Sequence, residues 1–160
     1  MLGLSLMPRF VAWLGLSALV IVLDQITKFM VVGSMRLGAN IPVNSFFDLV
    51  FIHNKGAAFS FLAHEDGWQK VFFIVLALGV CTWMGFLLWR HAAEKIAPLA
   101  FALIIGGALG NVIDRVLYGA VVDFLYFHVA SYGWPAFNLA DSAITLGVGL
   151  MLVEQFNKSS

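Results

Sequence analysis

A single cysteine, Cys81, occurs among 160 residues, and it lies inside an apolar run. An internal disulfide is therefore excluded, and neither a thiol nucleophile nor a zinc–thiolate cluster finds support. The redox compartment stays open. Charge is equally scarce: 11% of the residues carry it, nine basic against nine acidic, with no run of either sign. Nucleic acid therefore has no basic surface to grip, and no such partner is expected. The four histidines are scattered outside any His-Glu-x-x-His pattern, which disfavours a zinc peptidase. No motif indicates a metal or organic cofactor. Repeats and low-complexity segments are also missing, so residues 1–160 read as one domain.

What the chain has in excess is apolar side chains, at 61% of residues, and a mean hydropathy of +0.93. A solvated domain surface could not tolerate that, so the main solvent is lipid. Four stretches, about 10–32, 71–89, 96–113 and 136–153, approach the roughly 20 apolar residues that a ~30 Å hydrocarbon core requires. They are apolar all round rather than alternating, which predicts helices and not barrel strands. The first follows Arg9 and resembles a signal-peptide core, but no small-residue cleavage site succeeds it, so it reads as a retained anchor.

The connections are unequal. Segment 33–70 is too long for a turn; Phe46–His53 reads as a strand and Asn54-Lys55-Gly56 as a turn. Farther on, Phe59, Phe61, Leu62 and Trp68 mix with His64, Glu65 and Asp66, the composition of a segment resting on the headgroup layer, expected here as an interfacial helix. Segment 118–135 holds a second strand at Ala120–His128. The compact loop Arg90–Lys95 carries two basic residues and Tyr118–Pro135 none, which predicts both termini in the cytoplasm and 33–70 and 118–135 outside it.

An up-down bundle brings the end of span 1, the start of span 2, the end of span 3 and the start of span 4 to one membrane face. Nearly all the polar residues of the spans converge there: Asp24 and Lys28, then Asn111, Asp114 and Arg115, then Asn138 and Asp141, with Asp123 in the connection. A carboxylate at the bilayer centre costs ~2.5 kcal/mol or more, so acids grouped this way need partners or a function. Asp24 and Lys28, spaced i,i+4, suit a structural ion pair. Arg115 beside Asp114 reads as a buried clamp. Asn138 with Asp141 fits an N-cap and an acid at the third helical position as well as it fits chemistry. Asp123, within Val121-Val122-Asp123-Phe124, has no local partner, and function explains it better than structure does. Gly106, Gly107 and Gly110 give span 3 a small face for packing. A serine–lysine dyad from Ser60 and Lys55 is conceivable but weak. A proton-coupled transporter also keeps acids inside a bundle, though near the midplane rather than at one end.

Five blocks, taken together, resemble the lipoprotein signal peptidases, the type II signal peptidases of bacteria. They are Asp24-Gln25-Ile26-Thr27-Lys28, Asn54-Lys55-Gly56-Ala57-Ala58-Phe59-Ser60, Gly106 through Arg115, Val121-Val122-Asp123-Phe124 and Phe137-Asn138-Leu139-Ala140-Asp141-Ser142-Ala143-Ile144. The resemblance implies four transmembrane helices with a small extracytoplasmic sheet and a surface helix. It also implies an aspartic endopeptidase of the bacterial inner membrane with Asp123 and Asp141 as catalytic pair. Asn54, Gly56, Asn111, Asp114, Arg115, Asn138 and Ala140 would support them. The implied substrate is a diacylglyceryl-modified prolipoprotein, cut before the lipidated cysteine, and the implied inhibitor is the cyclic peptide globomycin. Membrane lipid is the expected surrounding partner and a monomer the expected state.

Overall fold

A computed structural model of the chain describes residues 2–56, 68–130 and 132–159. The expected interfacial helix, and Ser60 with it, lies outside the described residues. Four helices form the body: α1 (Leu2–Ser34), α2 (Trp68–His91), α3 (Ile96–Tyr118) and α4 (Leu139–Ser159). Each is long and apolar enough to cross a membrane. They run past the expected spans, because polar residues such as Arg9 and Asp114 continue a helix as readily as apolar ones. Only α4 starts later, at Leu139 instead of about 136, which puts Asp141 in its first turn.

Helix α3 is the axis. In its apolar window 72% of the residues are buried, against 11–17% in the other three, whose Phe29, Val75, Trp83 and Leu146 face outward as lipid-facing side chains do. Without a hydrophobic force between helices in lipid, close approach comes from small residues. A Cβ on Gly107 would run into the Ala140 carbonyl and Ile144 of α4, and one on Gly110 would lie 2.6 Å from an Asp24 carboxylate oxygen. The bundle is divided along its length. One half is apolar, with Met84, Leu88, Phe101, Ile104 and Ile105 packed together. The other half holds Asp24, Asp114 and Asp141.

Beyond that polar end sits a four-stranded antiparallel sheet in the order β1 (Asn40–Asn44), β2 (Phe47–Asn54), β3 (Val121–Val129) and β4 (Tyr132–Gly133). The central strands coincide with the two that the sequence predicts, within a residue at each end, and the edge strands are new. Helix α3 ends at Gly119, whose left-handed φ of 75° lets its N–H close on the Arg115 carbonyl, and β3 starts two residues later. Strand β2 carries one extra residue between Leu49 and Ile52, so Asn54 pairs with Val121 and Ile52 with Asp123. Paired residues share a face; were the same residues laid in a regular ladder, Asn54 would pair with residue 120 and point away from Asp123. Phe137 then bonds both ways to Leu125, fixing the entry to α4 against β3.

Candidate active site

Every residue singled out at the polar face enters one connected network. Its floor is an ion cluster. Lys28, 2% exposed, places its ammonium 2.8 Å from Asp24, 2.7 Å from Asp114 and 2.9 Å from Asn111 Oδ1, so its three donors have three acceptors. The i,i+4 pair is present as read, with Asp114 as a second acid. Asp114 closes on Lys28 rather than on Arg115, so the clamp expected between these neighbours does not form. Successive helical residues point about 100° apart, and only one of them can face α1. Gln25, which the sequence reading leaves without a role, donates to Asp114 Oδ1 at 2.9 Å and also reaches the Gly110 carbonyl at 3.2 Å.

The cluster reaches the backbone beside each remaining aspartate. Asp114 Oδ2 accepts the Val122 N–H at 3.0 Å, and Asp24 Oδ1 accepts the Ala140 N–H at 2.9 Å. Val122 precedes Asp123, and Ala140 precedes Asp141. A carboxylate that accepts a backbone N–H while paired to a buried ammonium is strongly held, since losing either partner strands a charge. The ion cluster is therefore the foundation on which β3 and α4 are set.

Above it, Asp123 is buried and Asp141 half-buried. Asn138 joins them. Its backbone N–H donates to Asp141 Oδ2 at 3.3 Å and its Oδ1 accepts the Asp141 N–H at 2.8 Å, a reciprocal capping box. Its Nδ2 donates to Asp123 Oδ1 at 2.8 Å. Capping and site-building are thus done by the same side chain. The second oxygen of each acid has its own amide: Asn54 Nδ2 on Asp123 Oδ2 at 2.9 Å, and Asn111 Nδ2 on Asp141 Oδ1 at 2.7 Å. Lys28 fixes which way Asn111 points, because an ammonium can only donate and so demands the amide oxygen.

Among the described residues no cation contacts Asp123. Burial, foremost, and the neighbouring Asp141 push its carboxyl up to about 7, against the opposing pull of Asn54 and Asn138. Near neutral pH it therefore holds a proton much of the time. Asp141 lies in the first turn of α4, beside the backbone N–H groups that a helix start leaves without intrahelical acceptors. Gly56, at φ 105°, bonds its N–H to Asn54 Oδ1 at 2.8 Å and so orients the amide that faces Asp123. Arg115 lies within electrostatic range of Asp141, Asp114 and Asp123, yet its described hydrogen bond goes to the Asn111 carbonyl at 3.3 Å.

Two carboxyls of unlike environment, joined through amides at one end of a lipid-facing four-helix bundle, define a class of multi-pass membrane protein equipped for acid–base chemistry. Comparison with known proteins narrows the class. A profile of the Signal peptidase (SPase) II family matches residues 16–157. The lipoprotein signal peptidase of Azoarcus sp. (strain BH72) is 62% identical over 151 residues, covering 92% of this chain and 86% of its own. That of Janthinobacterium sp. (strain Marseille) is 49% identical over 146 residues, covering 91% and 88%. A solved structure described as a bacterial membrane enzyme, at 30% identity, superposes with a TM-score of 0.82 over 93% of this chain and 90% of its own. The chain belongs to the signal peptidase II family, and it is a membrane peptidase. The transporter reading is not supported.

Proposed function

We propose that this protein is an aspartic endopeptidase of the bacterial inner membrane that removes the signal peptide from diacylglyceryl-modified prolipoproteins, cleaving before the lipidated cysteine. The observation that carries the reading is the pairing of a buried, proton-retaining Asp123 with a half-buried Asp141 through Asn138. The names of the relatives support the substrate.

In the proposed mechanism the Asp141 carboxylate takes a proton from water as its oxygen attacks the scissile carbonyl, while Asp123 gives its proton to the carbonyl oxygen. A neutral diol results, with no covalent link to the enzyme. Asp141 then returns its proton to the amide nitrogen, the C–N bond breaks, and Asp123 recovers a proton from the diol. Both acids end as they began. Asn111 and Asn138 hold the carboxylates in place, and Arg115 supplies N–H donors to the carbonyl oxygen as charge develops on it. The lipid chains of the substrate stay in the bilayer and deliver the scissile bond to a site just beneath the surface. We place both termini in the cytoplasm, the site at the outer leaflet, and take the monomer as the working unit, with globomycin-type cyclic peptides as inhibitors.

The test is cleavage of a lipidated and an unlipidated precursor by the purified full chain. Cleavage of the first alone, blocked by globomycin, is expected. Asp123→Asn and Asp141→Asn should each lower turnover by at least about 10³-fold while the protein still inserts and folds, a loss typical of removing an acid–base group together with its partner's function. Substantial activity in either variant would overturn the dyad.

A further inference from the structure

Arg115 poses a question that the ion cluster does not. It is a half-buried cation with three carboxylates in electrostatic range, yet among the described residues it forms no direct ion pair with any of them. Its guanidinium carries five N–H donors, of which one bonds to the Asn111 carbonyl at 3.3 Å. What it does meet is an aromatic face: the guanidinium carbon lies 5.0 Å from the centre of the Phe73 ring on α2.

The same ring also meets the first loop. A Cβ on Gly56 would lie 2.5 Å from Phe73 Cε2, so the ring occupies the space that the glycine leaves. Gly56 in turn bonds to Asn54, and Asn54 to Asp123. Phe73 is therefore wedged between the residues that hold Asp123 and the cation on the Asp141 side. A ring face attracts a guanidinium along one direction and leaves its in-plane N–H edges uncommitted, whereas a carboxylate would engage those edges in a bidentate pair.

We propose that Phe73 is a positioning residue for the cleavage reaction: its ring face holds the Arg115 guanidinium beside the dyad but off the carboxylates, leaving N–H donors for the scissile carbonyl. Without the ring, Arg115 falls onto Asp141 or Asp123, neutralising the base and spending the donors on the enzyme. The inference rests on the aspartic peptidase reading above and deepens it.

Because the donors act on charge that develops in the transition state, the loss should appear in kcat more than in KM. Phe73→Leu, which keeps apolar bulk and removes the ring, should lower kcat on a diacylglyceryl-modified precursor peptide by between about twofold and thirtyfold, the span of a cation–π contact. Replacing Phe73 by 3,5-difluorophenylalanine keeps the ring and weakens its negative face, and should produce a smaller fall in the same parameter. In an Arg115→Gln background, Phe73→Leu should change the residual rate by less than about 1.5-fold, since the partner is gone. Wild-type kcat in the difluoro form, or an undiminished Phe73→Leu effect in the Arg115→Gln background, would reduce Phe73 to packing and overturn the proposal. The difluoro form also decides the matter if the leucine variant does not fold. Failure of the wild type to cut the lipidated precursor, or activity in the asparagine variants of the dyad, would sink the underlying reading instead.

Discussion

Two pairs of aspartates share one network at the same membrane face, and they are built on opposite principles. Asp24 and Asp114 hold a buried ammonium between them, and their remaining bonds run to the backbone and to Gln25. Asp123 and Asp141 have neutral amides as their hydrogen-bonding neighbours, and a guanidinium that stays at a distance. An acid bridged to a buried cation is fixed in place by it; it makes a good pillar and a poor proton carrier. An acid surrounded by amides keeps its shape in either protonation state and can exchange a proton at little structural cost. Identical side chains become scaffold or chemistry according to whether a cation touches them.

That contrast breaks most readily at Lys28. Lys28→Met leaves two buried carboxylates without their cation and should cost about 3–5 kcal/mol of stability, read as a fall in the thermal unfolding midpoint of detergent-solubilised protein. Adding Asp24→Asn and Asp114→Asn to the methionine variant should recover a good part of it. Unchanged stability in Lys28→Met would mean that the cluster is no foundation. A smaller strain on the same cluster comes from Gly110→Ala, whose methyl would press on the Asp24 carboxylate 2.6 Å away. Overpacking of that kind should cost about 1–3 kcal/mol.

The proposed catalytic pair should respond in the opposite sense. Asp123 is raised from 3.8 to about 7. Below about pH 4 it is protonated in both folded and unfolded chains and the shift has no effect on stability. As pH rises toward 7 the unfolded chain ionises first, so the folded state loses stability, and above about pH 7 the full penalty of roughly 4 kcal/mol is in force. Asp123→Asn removes the penalty but turns one NH₂ toward a donating amide, so the net gain should be about 1–2 kcal/mol above neutrality and nil below about pH 4. Comparing unfolding midpoints at the two pH values tests it; a destabilised variant at high pH would contradict the assignment.

The finest distinction concerns the rate profile. In the proposed mechanism turnover requires Asp123 protonated, so activity should decline as pH rises through about 7. Asn54 lowers that carboxyl by donating to it, and Asn54→Ala should therefore move the alkaline limb to higher pH while reducing the maximum rate. A limb that stays in place would show that another group sets it.

Much of this arrangement is legible in the chain itself, for reasons that differ by residue. Span count follows from hydropathy, and the convergence of Asp24, Asn111, Asp114, Asn138 and Asp141 follows from up-down connectivity. The three-residue spacing of Asn138 and Asp141 announces a capping box, and that box is what joins the pair. Partner choice is less visible. Asp114 adjoins Arg115 in sequence, but the helix turns them to different neighbours, and only the packing of α1 against α3 selects Lys28. Strand β1, with Pro42 at its centre and every residue exposed, has none of the alternation that marks a strand, and the two residues of β4 are too few to carry a pattern. Phe73 looks like any other apolar residue in a lipid-facing helix, because nothing local records that a glycine 17 positions earlier has left room for its ring.

The extra residue in β2 gives that strand one position to spare in its pairing with β3. Val50 and Phe51 are adjacent and both buried, where a regular strand would alternate. Exchanging either for another apolar residue alters packing and leaves the count intact. Deleting either would remove the bulge and leave a regular ladder in which Ile52 still pairs with Asp123 and Asn54 with Val121, so the site would keep its register. Natural variation at this point should accordingly include single-residue gaps as well as substitutions, and a gap between Leu49 and Ile52 should be far less damaging than losing Asn54.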